Sequence, residues 1–273
     1  VRLEEPVSGR VLLDGKDMAS LRGRELRRAR RNFQMIFQDP YGSLNPRLTV
    51  WAALDEVLAL HSGLEREARQ QRAVELLERV GLSADALYRY PHQFSGGQRQ
   101  RIGIARALSA EPRFIVADEP VSALDVSVQA AIINLLDDIR RETGTSFLFI
   151  AHDLAVVEHI SSRILVMYLG HIVESAPSRE LVAAPFHPYT QALLSAVPTL
   201  DAAGRRRIVL PGDVPSPLSP PAGCPFHPRC PRARERCRRE APALTPVADS
   251  GRSCACFYPL TEAEAAQCAD FLR

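Results

Sequence analysis

Two short, nearly all-apolar segments limit the folds that are open to this chain. RFIVAD at 113–118 and TSFLFIAH at 145–152 have the length of strands, and a segment with helical spacing, 126–142, lies between them. Apolar runs of this kind are typical of interior strands in a parallel sheet. Open α/β sheets place their ligands at the carboxyl ends of the strands. We therefore expect an α/β core whose functional residues follow these two strands.

The remaining elements can be predicted from periodicity and turn residues. From residue 176 onwards the apolar periodicity fades, prolines crowd 211–231, and we expect a loop-rich extension. The predicted elements are a strand and turn at 7–15, an Arg-rich helix at 24–31, a buried strand at 33–37, helices at 49–61, 65–80 and 97–109, and a hairpin at 163–176.

The composition is that of an ordinary globular protein and excludes several classes of function. Of the 273 residues, 46% are hydrophobic and 24% charged, and the formal net charge of +2 gives no support to a nucleic-acid partner. No apolar run approaches the roughly 20 residues that span a bilayer, and the start of the chain lacks a signal-peptide layout. We expect a cytoplasmic protein.

An adjacent pair of carboxylates follows the first apolar strand. Asp118 and Glu119 stand at the carboxyl end of FIVADEP, where one can orient magnesium and the next can polarise an attacking water. The alternative is a plain strand that ends in a solvated turn. His152 ends the next strand, so parallel pairing would bring it near Glu119, where an imidazole could contact a γ-phosphate.

Two further polar residues lie in loops next to these strands. Gln38 follows the strand at 33–37, and its amide can accept a metal-bound water. Asp125 ends the turn Ser-Ala-Leu-Asp at 122–125 and also suits the N-cap of the helix that follows. Both interpretations of Asp125 can hold together.

FSGGQRQR at 94–101 has the form of a phosphate-binding turn. Gly96 and Gly97 let backbone N–H groups approach an anion, Ser95 offers a hydroxyl, and the helix that begins here points its positive end at the ligand. The alternative is a glycine-containing cap on an amphipathic helix, which does not exclude the anion.

These motifs occur in one order along the chain, which resembles the nucleotide-binding subunits of ABC transporters over nearly all of residues 1–175. In this family Gln38 matches the Q-loop, FSGGQ the signature motif, FIVADEP the Walker B strand with its catalytic glutamate, SALD the D-loop and His152 the switch histidine. More narrowly, FQDPYGSLNPRLTV, HPYTQALL at 187–194 and the late GCPFHPRCP resemble the oligopeptide/dipeptide importer branch.

The resemblance implies an α/β fold with two domains. Residues 1–175 would form a RecA-like parallel sheet core with a helical signature subdomain at about 46–110 and a remnant antiparallel β subdomain. Residues 176–273 would form the C-terminal extension of the peptide-importer branch.

The resemblance also implies ATP and Mg²⁺ as ligands and a set of site residues. Glu119 and His152 would be catalytic, and Asp118 and Gln38 would bind magnesium. The residues implied to contact the nucleotide are Gln38, Ser95, Gly96, Gly97, Gln98, Asp118 and Asp125.

Several partners follow from the same resemblance. Such subunits dimerise head to tail, as homo- or heterodimers, with ATP between the P-loop of one and the signature of the other. They act on the cytoplasmic face of the inner membrane, drive permease subunits, and work indirectly with a periplasmic or extracellular peptide-binding protein. No nucleic acid is implied.

The P-loop itself is missing from the sequence. Its pattern, G-x-x-x-x-G-K-[ST], requires a lysine, and Lys16 is the only lysine in the chain. Five residues separate Gly9 from Gly15, which directly precedes Lys16, whereas the pattern allows four. Asp17 stands where Ser or Thr is required, and the segment has the pattern of a strand. The sequence analysis therefore predicts an N-terminally incomplete chain that alone does not hydrolyse ATP; magnesium-dependent turnover by the purified 273 residues would contradict this.

All six cysteines lie in the last fifth of the chain. In a cytosolic protein this clustering favours a metal site over disulfides. Cys224, Cys230, Cys237 and Cys256 have the ligand count of a four-cysteine centre, with Cys254 as an extra candidate, although the spacing fits neither a zinc ribbon nor the common ferredoxin pattern. The family resemblance implies a [4Fe–4S] cluster; zinc and free thiols are the alternatives.

Two other functions compete with an ATP-driven motor for peptide import. A soluble ABC-type ATPase acting on DNA or the ribosome is disfavoured because the segment from Gln38 to Ser95 is too short for an inserted coiled coil and a second motif set is absent. An inactive partner that lends only its signature is disfavoured by the intact Asp118, Glu119 and His152. Nickel import by a close relative stays open.

Overall fold

The computed structural model describes residues 2–197, 207–247 and 251–266, and it divides the chain into two compact units, Val1–His152 and Asp153–Arg273. This division falls earlier than the predicted boundary after residue 175. The predicted hairpin forms, but it lies in the second unit, where a strand from 252–254 pairs with it. Local periodicity gives no sign of a partner so far along the chain.

The first unit contains a parallel sheet, a small antiparallel ladder and five helices. Its regular elements are β1 (Leu12–Leu13), β2 (Lys16–Asp17), α1 (Gly23–Arg30), β3 (Phe33–Ile36), α2 (Val50–His61), α3 (Arg66–Arg79), two 3-10 turns (Ala84–Tyr88 and Pro91–Gln93), α4 (Gly96–Leu108), β4 (Phe114–Asp118), α5 (Val126–Thr143) and β5 (Ser146–Ile150).

The parallel sheet has the order β3-β4-β5. The parallel strands predicted at 113–118 and 145–152 are thus neighbours, and the buried strand predicted at 33–37 joins them on the other side of β4. The centre of the sheet is buried, since Ile115 and Ala117 of β4 have no exposed surface. Because the three strands are parallel and adjacent, their carboxyl ends lie along one edge of the sheet in the order 36, 118, 150. Everything that follows these strands therefore begins at the same edge.

The predicted strand at 7–15 is much shorter than expected. Only Leu12–Leu13 is extended and paired, with Lys16–Asp17, and Val7 is fully exposed. The alternation of apolar and polar residues predicted a strand, but a strand needs a partner for its backbone groups. In the described residues before Leu12 no strand pairing is present, although the Val11 carbonyl accepts the Met18 N–H at 2.7 Å.

The helices of the first unit bury one face each, which explains their spacing in the sequence. In α4, the side chains of Ile102, Ile104 and Ala105 have no exposed surface. In α3, Leu76 and Leu77 are at most 1% exposed. Together with Leu54 and Leu58 of α2 these side chains form the apolar interior of the helical part. The predicted helices at 49–61, 65–80 and 97–109 are thus confirmed to within one or two residues.

The second unit is built on a four-stranded antiparallel sheet with the order β6-β7-β9-β8. Its elements are α6 (Leu154–Ile160), β6 (Arg163–Tyr168), β7 (His171–Pro177), α7 (Ser178–Ala183), α8 (Pro188–Ser195), a 3-10 turn (His227–Arg229), α9 (Glu235–Arg239), β8 (Thr245–Val247), β9 (Arg252–Cys254) and α10 (Glu262–Ala266).

The extension is less loop-rich at its start than predicted. α7 and α8 follow β7 directly, and their buried side chains Leu181, Val182 and Leu194 share an apolar cluster with the hairpin and with Phe226. Both helices are too short for a clear 3.6-residue pattern, which is why the sequence did not reveal them.

None of the helices in the described residues is both long enough and apolar enough to cross a bilayer.

Candidate functional site

Glu119 occupies a strained position at the end of β4. Its N–H donates to the carbonyl oxygen of Ile150 at 2.9 Å, which extends the β4–β5 ladder one residue beyond Asp118. Its φ of +42° lies in the left-handed region, which a non-glycine residue enters at a cost of about 1–2 kcal/mol. The residue before a proline is normally extended, and Pro120 follows. The backbone thus turns sharply here and carries the carboxylate out of the strand.

Glu119, Gln38 and His152 meet at this edge of the sheet. The amide nitrogen Nε2 of Gln38 donates to Glu119 Oε2 at 3.0 Å, and His152 Nδ1 lies 3.5 Å from the same oxygen. Gln38 follows β3, Glu119 follows β4 and His152 follows β5. Because these strands are parallel neighbours, the three residues are expected at the same edge of the sheet. The His152 side chain is 72% exposed and that of Glu119 28%, so the group is open to solvent and to a ligand.

This arrangement can support chemistry on a bound water. A carboxylate beside an imidazole can take a proton from a water and keep it in place for attack. Because the nitrogen of the Gln38 amide donates to Glu119, the amide oxygen is the Gln38 atom that can face a cation. Asp118 is the last residue of β4 and is partly exposed, so its carboxylate is also available at this edge.

The signature turn at 94–97 is organised as a helix cap. Ser95 is the N-cap of α4, its Oγ accepts the Gln98 N–H at 3.3 Å, and Gln98 Oε1 accepts the Ser95 N–H at 3.0 Å. This reciprocal pair is a capping box. The helix-cap alternative is therefore present in the structure, and the side chains of Ser95 and Gln98 each accept the backbone N–H of the other residue.

The two glycines of the turn have a packing role. A Cβ on Gly97 would come within 2.5 Å of Val128 Cγ1, and one on Gly96 would touch Leu124 Cδ2 at 3.4 Å. The start of α4 therefore packs closely on the SALD turn and on the start of α5. At the position of Gly97 there is no room for a side chain, whether or not the turn also binds an anion.

Asp125 lies at the N-cap position of α5 but does not cap it through its side chain. Its backbone is extended, the side chain makes no capping hydrogen bond, and the residue is exposed. The sequence analysis expected a side-chain cap here. Instead the Gln129 side chain donates to the Leu124 carbonyl at 2.8 Å and closes the turn from the helix side.

Lys16 lies in the ladder between β1 and β2, where it pairs with Leu13. This confirms that Lys16 does not belong to a phosphate-binding loop, since such a loop needs consecutive free N–H groups at the start of a helix.

Sequence reasoning missed the residues that hold the Gln38 loop to α4. The Arg99 guanidinium stacks on the Tyr41 ring at 3.7 Å from its centroid, and Arg106 Nη1 donates to the Ser43 carbonyl at 3.0 Å. Arg99 and Arg106 are seven residues apart, two helical turns, so they share one face of α4. The seven-residue spacing could have indicated this shared face, but arginines are frequent throughout the sequence, so the spacing did not distinguish these two.

A second Glu–His pair, unforeseen from the sequence, lies buried in the second unit. Glu174 is 1% exposed and accepts the N–H groups of Phe186 at 2.7 Å and His187 at 2.9 Å. Arg252 Nη2 lies 3.6 Å from its Oε1. His187 Nδ1 accepts the Tyr189 N–H at 3.1 Å and so caps α8. The HPYT segment thus encodes a helix start that is anchored to β7.

Burial changes the titration of both members of this pair. Removal from water raises the pKa of Glu174, because it penalises the carboxylate more than the hydrogen bonds and Arg252 favour it. The same effect lowers the pKa of His187 to about 4, so the ring is neutral at physiological pH.

The four predicted cysteine ligands gather in one place. The Cys224 N–H donates to the Cys237 carbonyl at 2.8 Å, and the turn at 227–229 brings Cys230 back towards them. Burial, together with the nearby thiols of Cys230, Cys224 and Cys237, raises the pKa of Cys256 to about 11. Gly223 permits this approach, because its φ is +70° and a Cβ would come within 2.5 Å of the Cys237 carbonyl oxygen.

Cys254 stands apart from this group. It is buried in β9 within an apolar cluster with Phe186, Leu260 and Ala265. The donor chemistry of the other four thiols fits a thiolate-ligated centre. However, no set of three or more Cys, His, Asp or Glu side chains in the described residues is arranged to hold a metal ion.

Comparison with known families identifies two regions of the chain. The model of the ABC transporter family matches residues 1–122, and the model described as "Oligopeptide/dipeptide transporter, C-terminal region" matches residues 173–237.

Individual relatives match along most of the chain. A probable peptide ABC transporter ATP-binding protein of Sinorhizobium fredii is 57% identical over 257 residues, which cover 94% of this chain and 72% of that protein. The oligopeptide transport ATP-binding protein AppF of Bacillus subtilis is 50% identical over 254 residues, 92% of this chain and 77% of AppF.

Solved structures agree with these relatives. The dimeric ATP-binding cassette MJ0796, in a post-hydrolysis state with ADP and Pi, is 31% identical with a TM-score of 0.58, covering 64% of this chain and 76% of that one. The cbiO1 protein of Clostridium perfringens, part of the ABC transporter complex cbiONQ, is 27% identical with a TM-score of 0.58, over 66% of this chain and 70% of cbiO1. The chain belongs to the ATP-binding proteins of the ABC transporter family and carries the C-terminal region of its oligopeptide/dipeptide branch.

Proposed function

We propose that this chain is the ATP-hydrolysing motor subunit of an importer for oligopeptides or dipeptides. The observation that carries the proposal is the meeting of Gln38, Glu119 and His152 at the ends of three adjacent parallel strands. The names of the relatives in Sinorhizobium fredii and Bacillus subtilis support peptides as the cargo.

Each residue at the sheet edge has a task in this function. Glu119 would accept a proton from the attacking water, and His152 would hold the carboxylate and contact the terminal phosphate. Asp118 and the amide oxygen of Gln38 would bind Mg²⁺, which supplies charge neutralisation at the phosphates when it is bound. Gln38 also fixes the Glu119 carboxylate through its 3.0 Å hydrogen bond.

The signature turn would act on a nucleotide that a second subunit holds. The first intrahelical bond of α4 runs from Arg99 N–H to Ser95 C=O, so the N–H groups of Gly96 and Gly97 precede it and are available to an anion. The contact predicted for the Gln98 side chain would require it to leave the capping box. Asp125, exposed at the start of α5, would face the same interface. The dimeric state of MJ0796 supports a dimer, and the head-to-tail arrangement is part of the proposal.

The remaining partners follow from the proposed cargo. The subunit would lie on the cytoplasmic face of the inner membrane, drive permease subunits there, and depend indirectly on a peptide-binding protein outside.

Peptide uptake tests this function directly. In the strain that carries the gene, Glu119→Gln should abolish uptake of labelled di- and oligopeptides, while Glu111→Gln should leave uptake intact. Glu111 is a suitable control because its carboxylate is exposed and its ion pair in the described residues is with Arg72 on the surface. Unchanged uptake in the Glu119 variant, with the protein present at normal level, would remove the proposal.

The four-cysteine group supports a second, separate part of the proposal, a [4Fe–4S] cluster, with zinc as the alternative. The thiols of Cys224, Cys230, Cys237 and Cys256 would be the ligands, and Cys254 would not, because its side chain packs in the apolar cluster. Since burial raises the pKa of Cys224, Cys230 and Cys256, loading would release protons from these thiols. Anaerobically purified protein should be brown, contain about four iron atoms per chain and lose them in Cys237→Ser but not in Cys254→Ser. Colourless protein with stoichiometric zinc would establish the alternative, and protein with neither metal would leave free thiols.

A further inference from the structure

Arg99 makes an unusually complete set of contacts for a side chain on the signature helix. It is only 9% exposed, and both Nε (3.0 Å) and Nη2 (2.7 Å) donate to the carbonyl oxygen of Phe94. The face of its guanidinium lies on the Tyr41 ring, 3.7 Å from the centroid. One planar group thus satisfies the carbonyl just before Ser95 and stacks on a loop from elsewhere in the sequence.

Tyr41 belongs to the short loop that begins with Gln38. The loop is folded on Asp39, whose Oδ1 accepts the Tyr41 N–H at 2.8 Å and whose carbonyl accepts the Ser43 N–H at 3.1 Å. The Asp39 side chain thus closes an Asx turn, which ties the position of Tyr41 to the start of the loop. The Gln38 amide at its start is the donor to Glu119.

A continuous path therefore joins the signature turn to the catalytic carboxylate. It runs from the Phe94 carbonyl through Arg99 to the Tyr41 ring, then through the Asp39 turn to Gln38 and Glu119. Arg106 strengthens the α4 end of this path by donating to Ser43. The ring of Tyr41 is otherwise exposed, so in the described residues Arg99 is the contact that fixes its orientation.

We propose that Arg99 and Tyr41 are positioning residues that hold Gln38 against Glu119 and make this contact depend on the position of the signature turn. The inference rests on the proposed function, and it adds two residues that touch neither nucleotide nor water. A movement of the signature turn on nucleotide binding would be passed by the planar contacts of Arg99 to the loop that begins with Gln38. The hydrogen bond between Gln38 and the Glu119 carboxylate would then form or break.

The test compares variants that remove the stacking with variants that keep it. In the complete transporter, Arg99→Lys keeps the charge but loses the planar group, and Tyr41→Leu keeps an apolar side chain but loses the π face. Each should lower kcat for ATP hydrolysis by about 10-fold with KM for ATP changed less than about twofold, and the double variant should lose no more than either single one. Tyr41→Phe keeps the ring and should stay within about twofold of the natural protein.

Arg101→Lys is the matched control, because Arg101 lies on the same helix and donates to the Val80 carbonyl, away from the loop. A purely structural role would instead lower stability equally in the Arg99 and Arg101 variants and leave kcat per folded molecule unchanged. That result, or additive losses in the double variant, overturns the proposal.

Hydrogen exchange separates this inference from the proposed function. The amides of Tyr41 and Ser43 should exchange faster in Arg99→Lys than in the natural protein, and Arg101→Lys should leave them unchanged. If the transporter proved not to hydrolyse ATP, the proposed function would fall, but this comparison would still decide whether Arg99 holds the loop. Equal exchange in all three proteins refutes the link.

Discussion

Two Glu–His pairs in the described part of the chain differ in almost every physical respect. Glu119 and His152 meet at an open sheet edge, 3.5 Å apart, and the His152 side chain is 72% exposed. Glu174 and His187 are each 1% exposed, and the Glu174 carboxylate accepts the backbone N–H groups of Phe186 and His187. The same two residue types therefore form an open group in one unit, for which we propose a chemical role, and a buried structural contact in the other.

The difference shows how burial decides what a polar pair can do. An exposed carboxylate with free lone pairs can receive a proton and exchange partners, whereas a buried one must have its partners permanently, because an unpaired charge inside a protein is costly. Backbone strain points the same way. Glu119 is held at φ +42°, and the structure tolerates this at the pair that is open to ligands.

The largest expected effect would separate the two pairs by function. In the complete transporter, Glu119→Gln should lower kcat for ATP hydrolysis by about 1,000-fold, because the amide cannot accept the proton of the attacking water. The unfolding of the first unit, followed through the fluorescence of Trp51, the single tryptophan, should change little. A large loss of stability with turnover intact would mean that Glu119 is architectural, as Glu174 is.

The reverse result is expected in the second unit. Glu174→Gln should reduce the free energy of unfolding of that unit by about 3 kcal/mol, since one backbone N–H loses its acceptor and Arg252 is left buried without its partner. Native-state hydrogen exchange of β7 and α8 measures the change. Glu180→Gln, an exposed position on α7, is the control and should cost less than about 0.5 kcal/mol.

Acid should destabilise the second unit through His187. Its pKa is about 4 in the folded state against an ordinary value of 6.5, so the unfolded chain takes up the proton first and stability falls as the pH drops through this window. Between pH 7 and pH 5 this loss should amount to about 2 kcal/mol.

His187→Asn isolates that contribution, because Asn can still accept the Tyr189 N–H as an N-cap. The raised pKa of Glu174 acts in the opposite direction in acid, but it is present in both proteins and cancels in the difference. An identical pH dependence of hydrogen exchange in the natural protein and the variant would contradict the buried, neutral histidine.

The smallest expected effect concerns the signature cap in the open unit. Ser95→Ala removes the acceptor of the Gln98 N–H and should lower the stability of the first unit by about 1 kcal/mol, as the loss of an N-cap usually does. Ser127→Ala, exposed on α5, is the control and should stay within about 0.5 kcal/mol. A much larger fall in ATP turnover than in stability would assign Ser95 a direct contact with nucleotide as well.

Much of the first unit could be predicted from the sequence because its elements are long, periodic and locally encoded. The strands at 33–36, 114–118 and 146–150 pair in parallel as expected, and this pairing brings Gln38, Glu119 and His152 together. The predictions failed where a distant partner decides the structure. The segment before Leu12 has a strand pattern without a partner, and the hairpin joins a strand that lies about 80 residues further along.

The sequence also could not predict which of several similar residues makes a given tertiary contact. Cys254 and Cys256 are two residues apart, and regular strand alternation would direct both side chains to the same face. The strand β9 ends at Cys254, whose side chain belongs to the apolar cluster, whereas Cys256 follows the strand and has the thiols of Cys230, Cys224 and Cys237 nearby. Among the three arginines of α4, only the tertiary contact with Tyr41 distinguishes Arg99.

The sequence by itself determined the parallel core, the residues at its strand ends and the family, since these depend on periodicity and on motifs read along the chain. Only the tertiary structure decided which polar groups are open and which are sealed: the exposed Glu119–His152 pair, the buried Glu174–His187 pair and the Arg99–Tyr41 contact. Burial is a property of what packs around a residue, and those neighbours come from positions far apart in the sequence.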